Sequence, residues 1–218
     1  MNIGILGTGN VGDTIGSRLI ELGHNVMMGS RTADNVKAAA FVANHEGKAK
    51  AGTFAEAATF GDIIFNCTRG EHAVSIIEGI AAICANKILI DLTNPLDFTK
   101  GSPPCLIPSL SNTYSLGEAI QKAAPQAYVV KTFNTMWCGI MVNPMLIGGG
   151  DHINYVCGND HSAKQKVKEL LLTFGWKKEN LMDLGDISNA RATEAILPIW
   201  IRVWAATKNN AFNYRIVS

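Results

Sequence analysis

The residues with the clearest chemical use open the chain. Gly7-Thr8-Gly9-Asn10-Val11-Gly12 follows an apolar run over 2–6 and precedes a helical pattern that reaches 22. Gly7 permits a tight turn, Gly9 lets the backbone close on a pyrophosphate, and Gly12 lets the helix pack against the strand. The helix head then offers free N–H groups and the positive end of its dipole to phosphates. In this strand–loop–helix context the spacing predicts a dinucleotide site. The end of the second strand says which dinucleotide. An Asp or Glu about 20 residues after the glycines would take a free ribose 2′-hydroxyl. Gly29-Ser30-Arg31-Thr32 stands there instead, and the first acid is Asp34. A hydroxyl and a guanidinium suit a 2′-phosphate, and Arg31 can also stack on adenine. The expected cofactor is NADP(H).

Other strand ends supply neutral hydrogen bonders: Thr68, Asn94, Asn134 and Thr135. Together they fit a carboxamide or a ring carbonyl. There is no Tyr-x-x-x-Lys pair, no histidine paired with carboxylates at a strand end, and no metal-ligand cluster. His24, His45, His72, His152 and His161 read as surface or capping residues; Glu194 on the last helix reads either as a pocket acid or as an acid at an exposed or N-terminal helix position, and the usual exposure of acids favours the second. No side chain is therefore assigned as an acid or base. A hydride passing between two flat rings needs the carbons about 3–3.5 Å apart, aligned, and water excluded.

These residues need a scaffold of alternating strands and helices. Apolar runs predict strands at 2–6, 25–28, 49–52, 62–67, 87–91 and 128–131. Helices are predicted at 34–46 (capped by Asp34), 54–60 and 73–83. A later strand falls at 154–157, a helix at 162–174, and a long apolar helix at 189–209 that Pro198 should kink or break. Strands apolar on both faces point to an α/β, doubly wound, mainly parallel sheet of the Rossmann type. The division is 1–185 for nucleotide binding and 186–218 for a C-terminal helical extension. The stretch 95–108, with four prolines, is the expected substrate edge.

Composition bounds the function classes. The 218 residues carry 19 Lys plus Arg against 18 Asp plus Glu, a net charge of +1. That balance leaves no footprint for nucleic acid or an anionic membrane. Charged residues are only 17%, against roughly 25% in an average domain, which suggests surface covered by a partner subunit. Cys67, Cys84, Cys105, Cys138 and Cys157 form no CxxC and read as reduced thiols buried as small hydrophobes. The chain opens directly on a strand, without a leader pattern, and its apolar stretch at 195–206 is too short to span a bilayer. A cytoplasmic protein is expected.

Five segments in order carry a family resemblance: IGILGTGNVG, GHNVMMGSR, DLTNPL, SLGEAIQKAAPQAYVVKTFNTM and DLGDISNARATEAILPIWIRVW. With them the chain resembles the coenzyme F420-dependent NADP reductases over nearly its whole length. The resemblance implies that Thr8 to Val11 meet the pyrophosphate, that Ser30 and Arg31 meet the 2′-phosphate, and that Thr68, His72 and Trp137 lie near the cofactor. It implies a deazaflavin over the nicotinamide, against Asn94-Pro95-Leu96, against the turn of Asn134, Thr135, Met136 and Trp137, and against the last helix. The family's Gly-Pro-Leu before that helix is Gly185-Asp186-Ile187 here, which places Asp186 near the acceptor. A basic residue that some relatives carry after the Ser-Arg pair is absent, with Lys37 as its substitute.

The function expected is hydride transfer between NADP(H) and a second planar cofactor, of the F420 type. Two other readings fit the same residues: an NADPH-dependent flavin or ferric reductase, and a non-catalytic NADP(H)-binding redox sensor. A homodimer is expected through the last helix. Ile196, Leu197, Ile199, Trp200, Ile201, Val203 and Trp204 surround that helix rather than stripe it.

Overall fold

The computed structural model describes residues 1–99 and 101–217. Positions 100 and 218, within the proline-rich stretch and at the end of the extension, lie outside them. In chain order the elements are β1 (Asn2–Leu6), α1 (Asn10–Glu21), β2 (Asn25–Ser30), α2 (Val36–Asn44), β3 (Ala49–Thr53), α3 (Phe54–Phe60), β4 (Ile63–Asn66), α4 (Gly70–Gly79) and β5 (Ile88–Asp91). They continue with β6 (Leu96–Asp97), β7 (Cys105–Leu106), α5 (Leu116–Ala123), β8 (Tyr128–Thr132), α6 (Cys138–Val142), β9 (Asn154–Gly158), α7 (His161–Thr173), β10 (Leu181–Asp183) and α8 (Ala190–Thr207).

Eight strands form one sheet in the order β10-β9-β8-β5-β4-β1-β2-β3. All neighbours are parallel except β8 and β9. The order from β3 through β1 to β4, β5 and β8 is that of a Rossmann sheet, with the direction of winding reversed between β1 and β4. Alternate side chains of each strand feed two apolar layers. Ile5, Phe65, Ile90 and Val130 face one, and Leu6, Ile64, Leu89 and Val129 face the other. This is why those strands read as continuous apolar runs.

Local chemistry starts several helices. Asn35 caps α2, Thr53 and Ser115 form capping boxes with Glu56 and Glu118 at α3 and α5, and Asp160 caps α7. The α2 cap is therefore Asn35, not Asp34, because Asn35 Oδ1 accepts from the N–H groups of Lys37 and Ala38. The helix expected at 73–83 begins earlier and ends earlier, as α4. The proline-rich stretch contains a small antiparallel pair, β6 with β7. The helix α8 runs unbroken through Pro198. The ring costs the hydrogen bond to the carbonyl of residue 194, and the surrounding packing holds the helix together.

The segment after α8 returns to the sheet. Trp200 stacks on Phe212 with ring centroids 5.2 Å apart. The Ile153 N–H donates to Tyr214 O at 2.9 Å. Asn213 Nδ2 lies 2.8 Å from both His152 Nδ1 and Ile153 O. His152, expected at the surface, is thus buried, with Nε2 2.9 Å from Pro144 O. Cys105 is exposed, against the expectation of burial, because β7 lies outside the main sheet. Among the described residues no helix is long and apolar enough to cross a membrane.

Candidate functional site

The glycine loop builds one wall of a cleft. Gly7 holds φ +114°, and a Cβ there would lie 2.7 Å from Cys67 O on β4's extension. A Cβ on Gly12 would lie 2.2 Å from Gly7 O, so only glycine lets α1 start this close to β1. A Cβ on Gly9 would meet nothing within 4 Å. Gly9 is also the N-cap of α1, and no side chain caps that helix. An uncapped helix head beside open space is the arrangement that receives a diphosphate. Gly9→Ala is therefore expected to leave urea-unfolding stability within about 0.5 kcal/mol of wild type. It should weaken NADPH binding at least about tenfold, since its methyl group would enter the space for the phosphates. Unchanged NADPH affinity by fluorescence titration would contradict that use of the loop.

The cleft encloses about 880 Å³ and runs from Gly7, Thr8 and Gly9 past Ser30 and Arg31 to Thr68 and His72. Its lining includes Arg31, Lys37 and Arg69 and not one carboxylate. Arg31 is exposed and forms no ion pair among the described residues. The Ser30 hydroxyl donates to Thr32 O within the turn, which shapes the loop that carries Arg31. Phe54 and Arg69 also line the cleft and were not singled out from sequence. Phe54 opens a helix of seven residues whose start gave only an apolar signal. Arg69 directly follows Thr68 at the end of β4, and that adjacency is the signal that could have found it. Cys67 contributes a neutral thiol: burial, then the Asp91 charge, push its pKa up. Asn10 and Val11 belong to the head of α1 and do not line the cleft wall.

Thr68 and Arg69 are shared with a smaller hollow of about 230 Å³ bounded by Asn94, Leu96 and Phe98. Arg69 lies over the Phe98 ring at 5.2 Å and pairs with Glu71 at 3.0 Å. Asn94 Nδ2 donates to Asn134 O at 2.8 Å, and Asn134 Nδ2 donates to Asn94 Oδ1 at 3.0 Å. The two asparagines expected at the acceptor are thus brought together from 40 residues apart. Pro95, Thr135 and Met136 are buried, and Trp137 is half-buried beside Gly139. These four line neither hollow, and neither does Asn134, which is buried behind Asn94. Asp186 is exposed and caps the turn before α8 through Ser188.

The turn that presents Asn134 is strained. Phe133 holds φ +65°, a conformation that costs a bulky residue about 1–3 kcal/mol. Its ring is held between Phe174 and Trp176, with centroids 6.2 and 6.0 Å away. Its N–H donates to Asn154 Oδ1 at 3.3 Å.

A buried charge cluster underlies the same edge. Lys131 Nζ is 2.8 Å from Asp91 Oδ2, 2.8 Å from Glu194 Oε1, and donates to Thr93 O at 2.6 Å. Glu194 accepts the N–H groups of Leu116 and Gly117 at 2.9 and 3.0 Å. The expectation of an exposed Glu194 is overturned: the residue is 2% exposed, because α8 packs that face onto the head of α5. Desolvation alone would push the Lys131 ammonium down, but the Asp91 and Glu194 carboxylates outweigh it and carry it above the usual lysine range.

The chain is similar to several known proteins. Residues 2–95 match the family described as NADP oxidoreductase coenzyme F420-dependent. A solved structure from Arthrobacter sp. FB24, provisionally named an F420-dependent NADP reductase, is 41% identical, with a TM-score of 0.91 over 99% of each chain. The F420-dependent NADP reductase of Methanothermobacter marburgensis is 26% identical over 93% of this chain and 92% of its own length. Metalloreductase STEAP3 of Rattus norvegicus is 29% identical over 91% of this chain, which spans only 37% of that protein. With that Arthrobacter likeness running end to end, this chain belongs to the family of coenzyme F420-dependent NADP oxidoreductases.

Proposed function

We propose that the chain binds NADP(H) along the glycine loop and passes a hydride between the nicotinamide and a deazaflavin of the F420 type. One observation carries the NADP reading. The cleft from Gly7 to Arg31 is lined by cations and no carboxylate, so a 2′-phosphate meets charge of the right sign and a free ribose meets no acceptor acid. The residues present fit the dinucleotide: an open Gly9, an uncapped helix and a free guanidinium. When bound, NADP(H) supplies the hydride. The protein binds the phosphates, orients the ring at Thr68, and offers the adjoining hollow at Asn94 and Leu96 to the acceptor. Arg69 and Glu71 line that hollow but pair with each other at 3.0 Å, and transfer between two rings calls on neither as acid or base.

A deazaflavin acceptor follows from the names of the Arthrobacter and Methanothermobacter relatives. The likeness to metalloreductases favours one second reading, a flavin or ferric acceptor. We place a second copy of the chain against α8. Leu197 and Ile201 are buried in the fold, while Ile199 and Trp204 stay 54% and 42% exposed.

Anaerobic stopped-flow mixing of NADPH with F420, with flavin mononucleotide and with a ferric chelate tests the acceptor. F420 is expected to bleach fastest. Faster oxidation of NADPH by flavin or iron would transfer the assignment to the second reading. No oxidation by any of the three would remove the enzyme and leave a binding protein.

A further inference from the structure

We propose that the buried chain Glu194–Lys131–Asp91–Asn66 is a positioning relay that locks the Thr68 hydroxyl as a hydrogen-bond acceptor for the amide NH₂ of a nicotinamide carboxamide. The proposal rests on the NADP(H) reading above and adds how the ring is oriented.

The direction of each bond is forced. Lys131 can only donate, and gives N–H groups to Asp91 and Glu194. Asp91 Oδ1 takes the Thr93 N–H at 3.2 Å, the Thr93 hydroxyl at 2.8 Å and Asn66 Nδ2 at 3.1 Å. An acceptor-only carboxylate on that side turns the Asn66 amide nitrogen toward Asp91 and leaves its Oδ1 facing the other way. Asn66 Oδ1 then meets two groups of Thr68: its N–H at 3.3 Å and its Oγ1 at 2.7 Å. A backbone N–H can only donate, and the hydroxyl has only an acceptor before it. Its one proton is therefore spent inward on Asn66, and its lone pairs remain for the outside. Thr68 lines both the NADP cleft and the smaller hollow, so those lone pairs belong to the wall where the two spaces meet.

An acceptor at this place selects a donor. A carboxamide presents one oxygen and one NH₂, and a hydroxyl that can no longer donate takes the NH₂ and fixes which way the amide points. Asn66, Asp91, Lys131 and Glu194 are almost wholly buried and touch neither space as lining residues. They act through Thr68. Glu194 also brings α8 into the relay, 126 residues along the chain from Thr68 by number.

The test compares NADP⁺ with its 3-acetylpyridine analogue, in which a methyl group replaces the NH₂, by calorimetric titration. Wild type should prefer NADP⁺ by about fivefold, the scale of one neutral hydrogen bond. Asn66→Ala should lose that preference by weakening NADP⁺ and not the analogue. Thr68→Val should lose it too, and Thr68→Ser should restore it. The double variant Asn66→Ala/Thr68→Val should be no worse than Thr68→Val alone, because both changes remove one interaction. A general loosening of the fold would weaken both ligands alike and add in the double variant, and either result overturns the relay. Should Asn66→Ala not fold, Thr68→Val in the intact network decides: equal loss for both ligands overturns it. Wild type that binds neither ligand would instead reject the NADP(H) reading itself.

Discussion

Lys131→Met should lower unfolding stability by about 3–5 kcal/mol, because it leaves Asp91 and Glu194 as buried carboxylates without their common cation. For a domain of this size that corresponds to a fall of roughly 6–20 °C in Tm. Methionine keeps the length and the apolar stem, so the loss reports charge rather than a cavity. The double variant Lys131→Met/Glu194→Gln should recover part of it by removing one stranded charge. The sign of the pH dependence follows from the raised folded-state pKa of Lys131. A raised lysine stabilises fully below its unfolded value, near pH 10.4, and loses that contribution as pH rises beyond it. The gap between wild type and Lys131→Met in urea melts should be flat from about pH 6 to 9 and narrow above about pH 10.5. A gap that widens in that range would mean that the ammonium does not carry the effect.

Arg31→Ala should cost NADPH about 10- to 100-fold in affinity and leave NADH within about twofold, since a charge-assisted contact is worth about 1.5–3 kcal/mol. Arg31 is exposed, without an ion pair among the described residues, and lines the carboxylate-free end of the cleft. Its removal therefore disturbs nothing else in the fold. Fluorescence titration of both reduced nucleotides with both proteins reads the result directly. Equal weakening of NADH and NADPH would assign Arg31 to the adenine face and leave the 2′-phosphate to Lys37.

The parts of this site that were legible in the sequence are those whose signal is local. Gly7 to Gly12 declare a turn, an approach and a packing contact within six residues, and Ser30-Arg31 declares its charge where the second strand ends. The helix α5 carried a signal of the same local kind, Ser115 and Glu118 at the capping-box spacing, yet the sequence reading placed no helix there. Lys131 and Glu194 were not. A lysine ending an apolar strand and a glutamate in an apolar helix look like two surface charges. Their burial depends on meeting each other and Asp91 across 40 and 63 positions, which no periodicity encodes. The asparagine pair at 94 and 134 lay between these cases. Each sat at a strand end that the topology predicts to be adjacent, but only β5 beside β8 makes them partners. Pro198 misled for a related reason, because propensity is a local preference and α8 is held by tertiary packing.

The left-handed backbone at Phe133 has a consequence for mutational tolerance. Glycine would relieve the strain at that position but would abandon the ring seated against Phe174 and Trp176. Those two residues lie far along the chain, beyond β9, yet they hold the turn that aims Asn134. Drift in the core beneath α7 is thereby tied to the backbone path at Asn134 and to its bonds with Asn94. A library that varies Leu96 or Phe98 changes the lining of the hollow directly, whereas one that varies Phe174 or Trp176 is expected to reach that lining only through Asn134 and the hydrogen bonds it shares with Asn94.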